Sequence, residues 1–111
     1  MNRKIIVKNK EFKMEKMSAD TYMEYLELAE KIETASGERA SKRYSREEIE
    51  AMMLFICKAY GDQFTVEELK DTESGLDAVG IIIEFNMIDM SIAEEMNSRM
   101  EKMMKNFQNG K

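Results

Sequence analysis

The 111-residue sequence contains no histidine, no proline and no tryptophan, and has only one cysteine and five glycines. Without histidine or a second thiol, the usual zinc ligand sets and the Ser-His-Asp and Cys-His catalytic arrangements are excluded. One cysteine forms no internal disulfide, and Cys57 sits in the most apolar segment, so it reads as a buried small thiol in a reducing compartment. A nucleophilic Cys57 would lack an activating histidine and has only Lys58 as an adjacent base. The absence of proline and the scarcity of glycine remove the turn chemistry of a many-stranded sandwich, while abundant Met, Leu, Ala, Glu and Lys favour helix. No stretch approaches 18 uninterrupted apolar residues, and the N-terminal MNRKIIVKNK has only a three-residue apolar run after its charges. Neither a membrane span nor a secretory signal is expected.

The length fits one domain over residues 1–111, which buries roughly 65% of the unfolded surface. The net charge of −5 conceals a division: residues 1–17 carry +4 and the remaining residues −9. The acidic body should repel nucleic acid. In the basic segment, charges alternate with apolar residues, the pattern of solvated strand edges or faces.

Around Tyr44–Gly61, YSREEIEAMMLFICKAYG, the chain carries a helix start, an apolar body and a stop in one piece. Ser45 and Glu48 have capping-box spacing, Tyr44 and Ile49 hold the positions of a hydrophobic staple, and Gly61 suits the left-handed terminator. The body is apolar around more than one face, so this helix should be central. The fold expected is mainly α, with four or five helices around this central one and a short N-terminal β-hairpin.

The hairpin is read from KIIVK and from the alternation of Phe12 and Met14 with charged residues, joined across Asn9 and Lys10. Ser18 caps a second helix through about Ile32, with a stripe of Tyr22, Leu26 and Ala29 widened by Tyr25, Leu28 and Ile32. Residues 34–43, TASGERASKR, lose that stripe and read as a loop. After Gly61, Thr65 and Glu68 repeat the capping box, Phe64 and Leu69 repeat the staple, and Asp71–Gly75 ends a short helix. From Leu76 to Phe107 a long helical pattern runs, with residues 79–85 reading as buried and residues 94–107 as a single-stripe surface helix. Ser91 with Glu94 has the spacing of another capping box, so the pattern allows either a break near residues 89–91 or one rod of roughly 48 Å. A disordered tail is expected at 108–111. No internal repeat or low-complexity tract occurs.

Chemistry is hard to find. The carboxylate groups Glu47, Glu48, Glu50 and Glu67, Glu68, Asp71 lie at helix starts, where negative charge is favoured without any metal. Asp77 reads as a capping carboxylate, and neither Gly75 nor Gly80 belongs to a phosphate loop, because the Lys-Ser/Thr ending is missing. No enzyme, metal or cofactor is indicated. Twelve methionines remain, six of them at Met87, Met90, Met96, Met100, Met103 and Met104. Methionine fills irregular cores and also suits surfaces that adapt to varied apolar partners, so a loose core with a homodimer seam and a partner surface both stand. The partner-surface candidates are Met96, Met100, Met103, Met104 and Phe107, with Ile5, Val7 and Phe12 as an alternative seam.

One stretch is more specific. Tyr60-Gly61-Asp62-Gln63-Phe64-Thr65-Val66-Glu67-Glu68-Leu69, followed by Gly75-Leu76-Asp77-Ala78, resembles the tail assembly chaperones of long-tailed bacteriophages that infect Gram-positive bacteria. The opening strand pair and the Tyr-Met-Glu-Tyr-Leu-Glu-Leu helix are similar too, so the likeness covers about residues 1–90. Asp71-Thr72-Glu73-Ser74 interrupts the family's usual passage into Gly-Leu-Asp-Ala. The resemblance implies a nonenzymatic protein of the host cytoplasm that escorts the tape measure protein, helps recruit the major tail protein during tube assembly, and is absent from the finished virion. It also implies that a frameshifted long form accompanies a short one. The second functional reading is a small regulatory or toxin-neutralising adaptor that binds one defined protein.

Overall fold

Helix formation begins with local chemistry at each start. In the computed structural model, which describes residues 3–14, 16–38 and 44–109, the order is β1 (Lys4–Val7), β2 (Lys10–Lys13), α1 (Ala19–Glu38), α2 (Arg46–Ala59), α3 (Val66–Lys70) and α4 (Ala78–Asn109). The fold is mainly α with one short hairpin, as expected. Both reciprocal capping boxes form. The Glu48 amide donates to Ser45 Oγ at 3.1 Å while Ser45 N donates to the Glu48 carboxylate at 2.7 Å; Thr65 and Glu68 do the same at 3.1 and 2.9 Å. Ser18 Oγ accepts the Thr21 amide at 3.1 Å, and Asp77 Oδ1 accepts the Gly80 amide at 2.7 Å, which starts α4. Each bond satisfies an amide that the first helical turn leaves without a partner.

α2 ends as its glycine suggests. The Asp62 amide donates to the Cys57 carbonyl and the Gly61 amide to that of Lys58, with Gly61 at φ +76°, a Schellman closure. From that point α2 packs against α1, α3 and α4, and Met52, Phe55, Ile56, Cys57 and Tyr60 are buried. Phe55 meets Tyr25 of α1 at 5.6 Å and Phe85 of α4 edge-on at 5.9 Å. Tyr60 meets Phe64 at 5.8 Å, and Phe64 meets Phe12 of β2 at 5.3 Å. Two aromatic groups therefore join α1, α4 and β2 to α2, in tilted and edge geometries that aromatic quadrupoles favour.

The hairpin turn lies one position earlier than expected. Val7 pairs with Lys10, so the two loop residues are Lys8 and Asn9, at φ +54° and +60°. A two-residue hairpin whose twist matches its strands needs both central residues left-handed, and Asn tolerates that conformation better than most residues. The Lys8 amide donates to the Ser74 carbonyl at 2.7 Å, and its ammonium pairs with Glu68. The Asp71–Ser74 interruption thus becomes a turn that holds the hairpin tip, with Ser74 Oγ also donating to the Glu68 carbonyl at 2.9 Å.

Three further expectations change. α1 continues past Ile32 to Glu38, since adding one more helical residue is far easier than nucleating a helix; the rest of the expected loop, 39–43, lies outside the described residues. The buried face of α1 centres on Tyr25 and Leu28, leaving Leu26 exposed. Finally, α4 is unbroken over 32 residues. Ser91 Oγ donates to the Met87 carbonyl at 2.8 Å within the helix instead of capping a new one. At about 1.5 Å per residue α4 is about 48 Å long, against a longest molecular dimension of 54 Å. Its backbone is helical through Asn109, and residues 110–111 lie outside the described residues.

Candidate functional site

The position of α4 depends on a buried carboxylate. Glu84 accepts the Tyr60 hydroxyl at 2.8 Å and the Arg3 guanidinium at 2.6 Å, tying the start of the hairpin and the end of α2 to the first half of the last helix. Burial, together with the charge and hydrogen bond of Glu84, pushes the Tyr60 hydroxyl well above its usual range. Burial alone would lower Arg3, but its hydrogen bond and charge pairing with Glu84 outweigh that and raise it. The network keeps Arg3 and Tyr60 protonated and fixes how α4 sits on the core.

With that anchor in place, α4 shows two unlike faces. Ile81, Phe85, Ile88, Ile92, Met96, Met100, Met103 and Phe107 follow one another at intervals of three or four residues, so they form one stripe. Along it, exposure climbs from 0% at Ile88 and 7% at Ile92 to 49% at Met96, 58% at Met100, 70% at Met103 and 80% at Phe107. The stripe that seals the core therefore continues past the body as an uncovered surface. Where the stripe opens it is bordered by Tyr22 of α1, whose hydroxyl lies 4.0 Å from the Met96 sulfur. Met104, 62% exposed, borders the same stripe. Residues 79–85, expected to be buried, are buried on this side only: Val79 and Ile83 are exposed because α2 covers a single face of α4.

The alternative seam is occupied from within. Ile5 and Val7 are buried and Phe12 is half-buried against Phe64, because this face of the hairpin covers the chain's own core. Among those strand residues the outward-facing apolar one is Ile6. The caps Ser18, Ser45, Glu48, Thr65 and Glu68 occupy helix starts and set the frame.

Cys57 is buried and free, and burial, helped by the charge of Asp62, pushes its thiol up to about 11. A thiol so held stays protonated near neutrality. Among the described residues no cluster of His, Cys, Asp and Glu could hold a metal ion, and no helix is long and apolar enough to cross a membrane. An open groove between α1 and α2 is lined by Leu28, Leu54 and Phe55 with Glu24, Glu27 and Lys58. Glu24 and Lys58 pair there at 2.6 Å.

Sequence reasoning missed the Arg3–Glu84–Tyr60 network, since its members are far apart in the chain. The signal available was Glu84 itself, a carboxylate placed among Ile81, Ile82, Ile83 and Phe85.

No curated protein and no solved structure matches the chain. A family profile described as phage tail chaperone protein matches residues 1–111, the full span that the α4 stripe, the capping boxes and the hairpin occupy, and by that match the chain belongs to the phage tail chaperone family.

Proposed function

We propose that the protein binds the tape measure protein during tail assembly and helps bring major tail protein to it, without catalysis. It acts in the cytoplasm of the bacterial host, as a phage or prophage product, and leaves before the virion is complete. Self-association through the same surface accompanies this role. The observation that carries the reading is the α4 stripe, which is sealed at Ile92 and open from Met96 to Phe107. A tape measure is a long helical protein with apolar seams, and a flexible thioether surface on a helix suits temporary cover of such seams. The acidic body discourages nucleic acid as the competing partner.

The test is capture of the tape measure protein by the full chain, by a chain ending at Asn97, and by the double variant Met103→Glu/Phe107→Glu. Because nearly every residue after Ile92 is exposed or half-exposed, the shortened chain should stay folded. Both altered proteins should lose at least tenfold in affinity. Unchanged capture by the folded, shortened chain would remove the stripe from this role.

A further inference from the structure

We infer that the open end of α4 pairs with the same segment of a second copy, antiparallel, with a two-fold axis near Met100. This deepens the proposed self-association and rests on the reading of the stripe as a contact surface. Three observations lead to it.

The first is fit of length. An antiparallel overlap centred on Met100 sets Met96 opposite the second copy's Met103. It also brings Phe107 level with the second copy's Ile92, the last buried member of the stripe, one turn before the Met96 that Tyr22 borders. The overlap therefore ends where the other body begins, and Met96, Met100 and Met103 each meet a methionine of the second copy.

The second is charge. Glu94 and Glu95 lie at the body end of the open segment, and Lys102 and Lys105 at its free end. Arg99 and Glu101 offset each other between them, with Arg99 held by Glu95 of its own helix at 3.0 Å. A parallel pair would set acidic end on acidic end and basic on basic. The antiparallel pair sets each acidic end on a basic one, and Glu95 and Lys102, on the same flank of the stripe at 100° per residue, face each other across the two-fold axis.

The third is the helix itself. Its 32 residues are unbroken, so the open segment is presented as a rigid surface, and antiparallel helices also oppose their macrodipoles favourably. A seam of four or five large side chains per copy falls below the roughly 800 Å² per partner of a standard stable interface. The pair is accordingly reversible and concentration-dependent.

The test uses the full chain. Sedimentation should show a monomer–dimer equilibrium. The double variant Glu94→Lys/Glu95→Lys and, separately, Lys102→Glu/Lys105→Glu should each weaken the dimer at least tenfold, and an equimolar mixture of the two should restore it. Circular dichroism checks that α4 stays helical in each variant. Orientation is read by mild oxidation: Met96→Cys mixed with Met103→Cys should crosslink, and Met96→Cys alone should not, while native Cys57 stays buried. A monomer at every concentration, or Met96→Cys crosslinking to itself, overturns the proposal. Capture of the tape measure protein is scored separately: a dimer that captures none removes the chaperone reading and leaves the pairing, and a monomer that captures it does the reverse.

Discussion

At the scale of single residues, Gly75 is held by close approach. A Cβ there would lie 2.0 Å from the Leu69 carbonyl oxygen and 2.5 Å from that of Glu68, because the Leu76 amide returns to the Leu69 carbonyl at 2.7 Å and closes the turn against the end of α3. Backbone cannot yield as a flexible side chain can. Gly75→Ala should lower stability by about 2–3 kcal/mol, as overpacking does, read as a reduced urea midpoint with an unchanged slope. Glu84 offers a second case. Glu84→Ala leaves the Tyr60 hydroxyl and a half-buried guanidinium without their acceptor, at an expected cost of about 3 kcal/mol. Glu84→Gln keeps an acceptor and should cost about half as much, and a double-mutant cycle with Arg3→Met isolates the pair. The third case is Cys57. Its folded thiol, raised to about 11 from an ordinary value of 9.0, favours the protonated form, so the stability it confers is complete below about pH 9 and is lost as pH rises through about 11. The raised Tyr60 hydroxyl adds to that alkaline loss. Cys57→Ala should flatten the fall in stability between pH 9 and 11, and iodoacetamide should label native Cys57 at the rate of unfolding.

At the scale of elements, what the sequence disclosed was local. A capping box needs two residues three apart, and Ser45 with Glu48 and Thr65 with Glu68 could be read directly. Ser91 and Glu94 have that spacing as well, yet no cap forms there, because the residues before Ser91 are already helical and its hydroxyl bonds back to Met87. Spacing alone does not say whether the preceding residue has left the helix. The hairpin was legible as an element but its turn was not, since Lys8 at φ +54° is a poor intrinsic candidate that the Ser74 carbonyl and Glu68 hold in place. Asn9 is the residue suited to the left-handed position, so Asn9→Ala should cost about 1 kcal/mol, measured by urea denaturation. For the candidate site, the stripe could be read by counting threes and fours. Where it left the core could not, because that depends on how far α1 and α2 reach along α4.

At the scale of the whole molecule, stability and binding are separable. The buried cluster ends at Ile92, and the projecting turns of α4 contribute a surface but almost no core. Hydrogen exchange should accordingly show strong protection for the amides of Phe85 to Ile92 and steadily weaker protection beyond Met96 in dilute protein, with recovery when the segment is covered. If the amides near Met103 are as slow as those near Ile88 in a monomer, the projecting end is packed in a way that its exposure does not show.

The Arg3–Glu84 bond joins positions 81 apart, which sets an order of events during synthesis. Arg3 leaves the ribosome well before Glu84, and it stays without this counter-ion until Glu84 has emerged. Closure of this network therefore waits for α4, and a nascent chain stalled before Glu84 leaves Arg3 and the Tyr60 hydroxyl without their shared acceptor, the hairpin resting on Phe64 and the turn at Ser74.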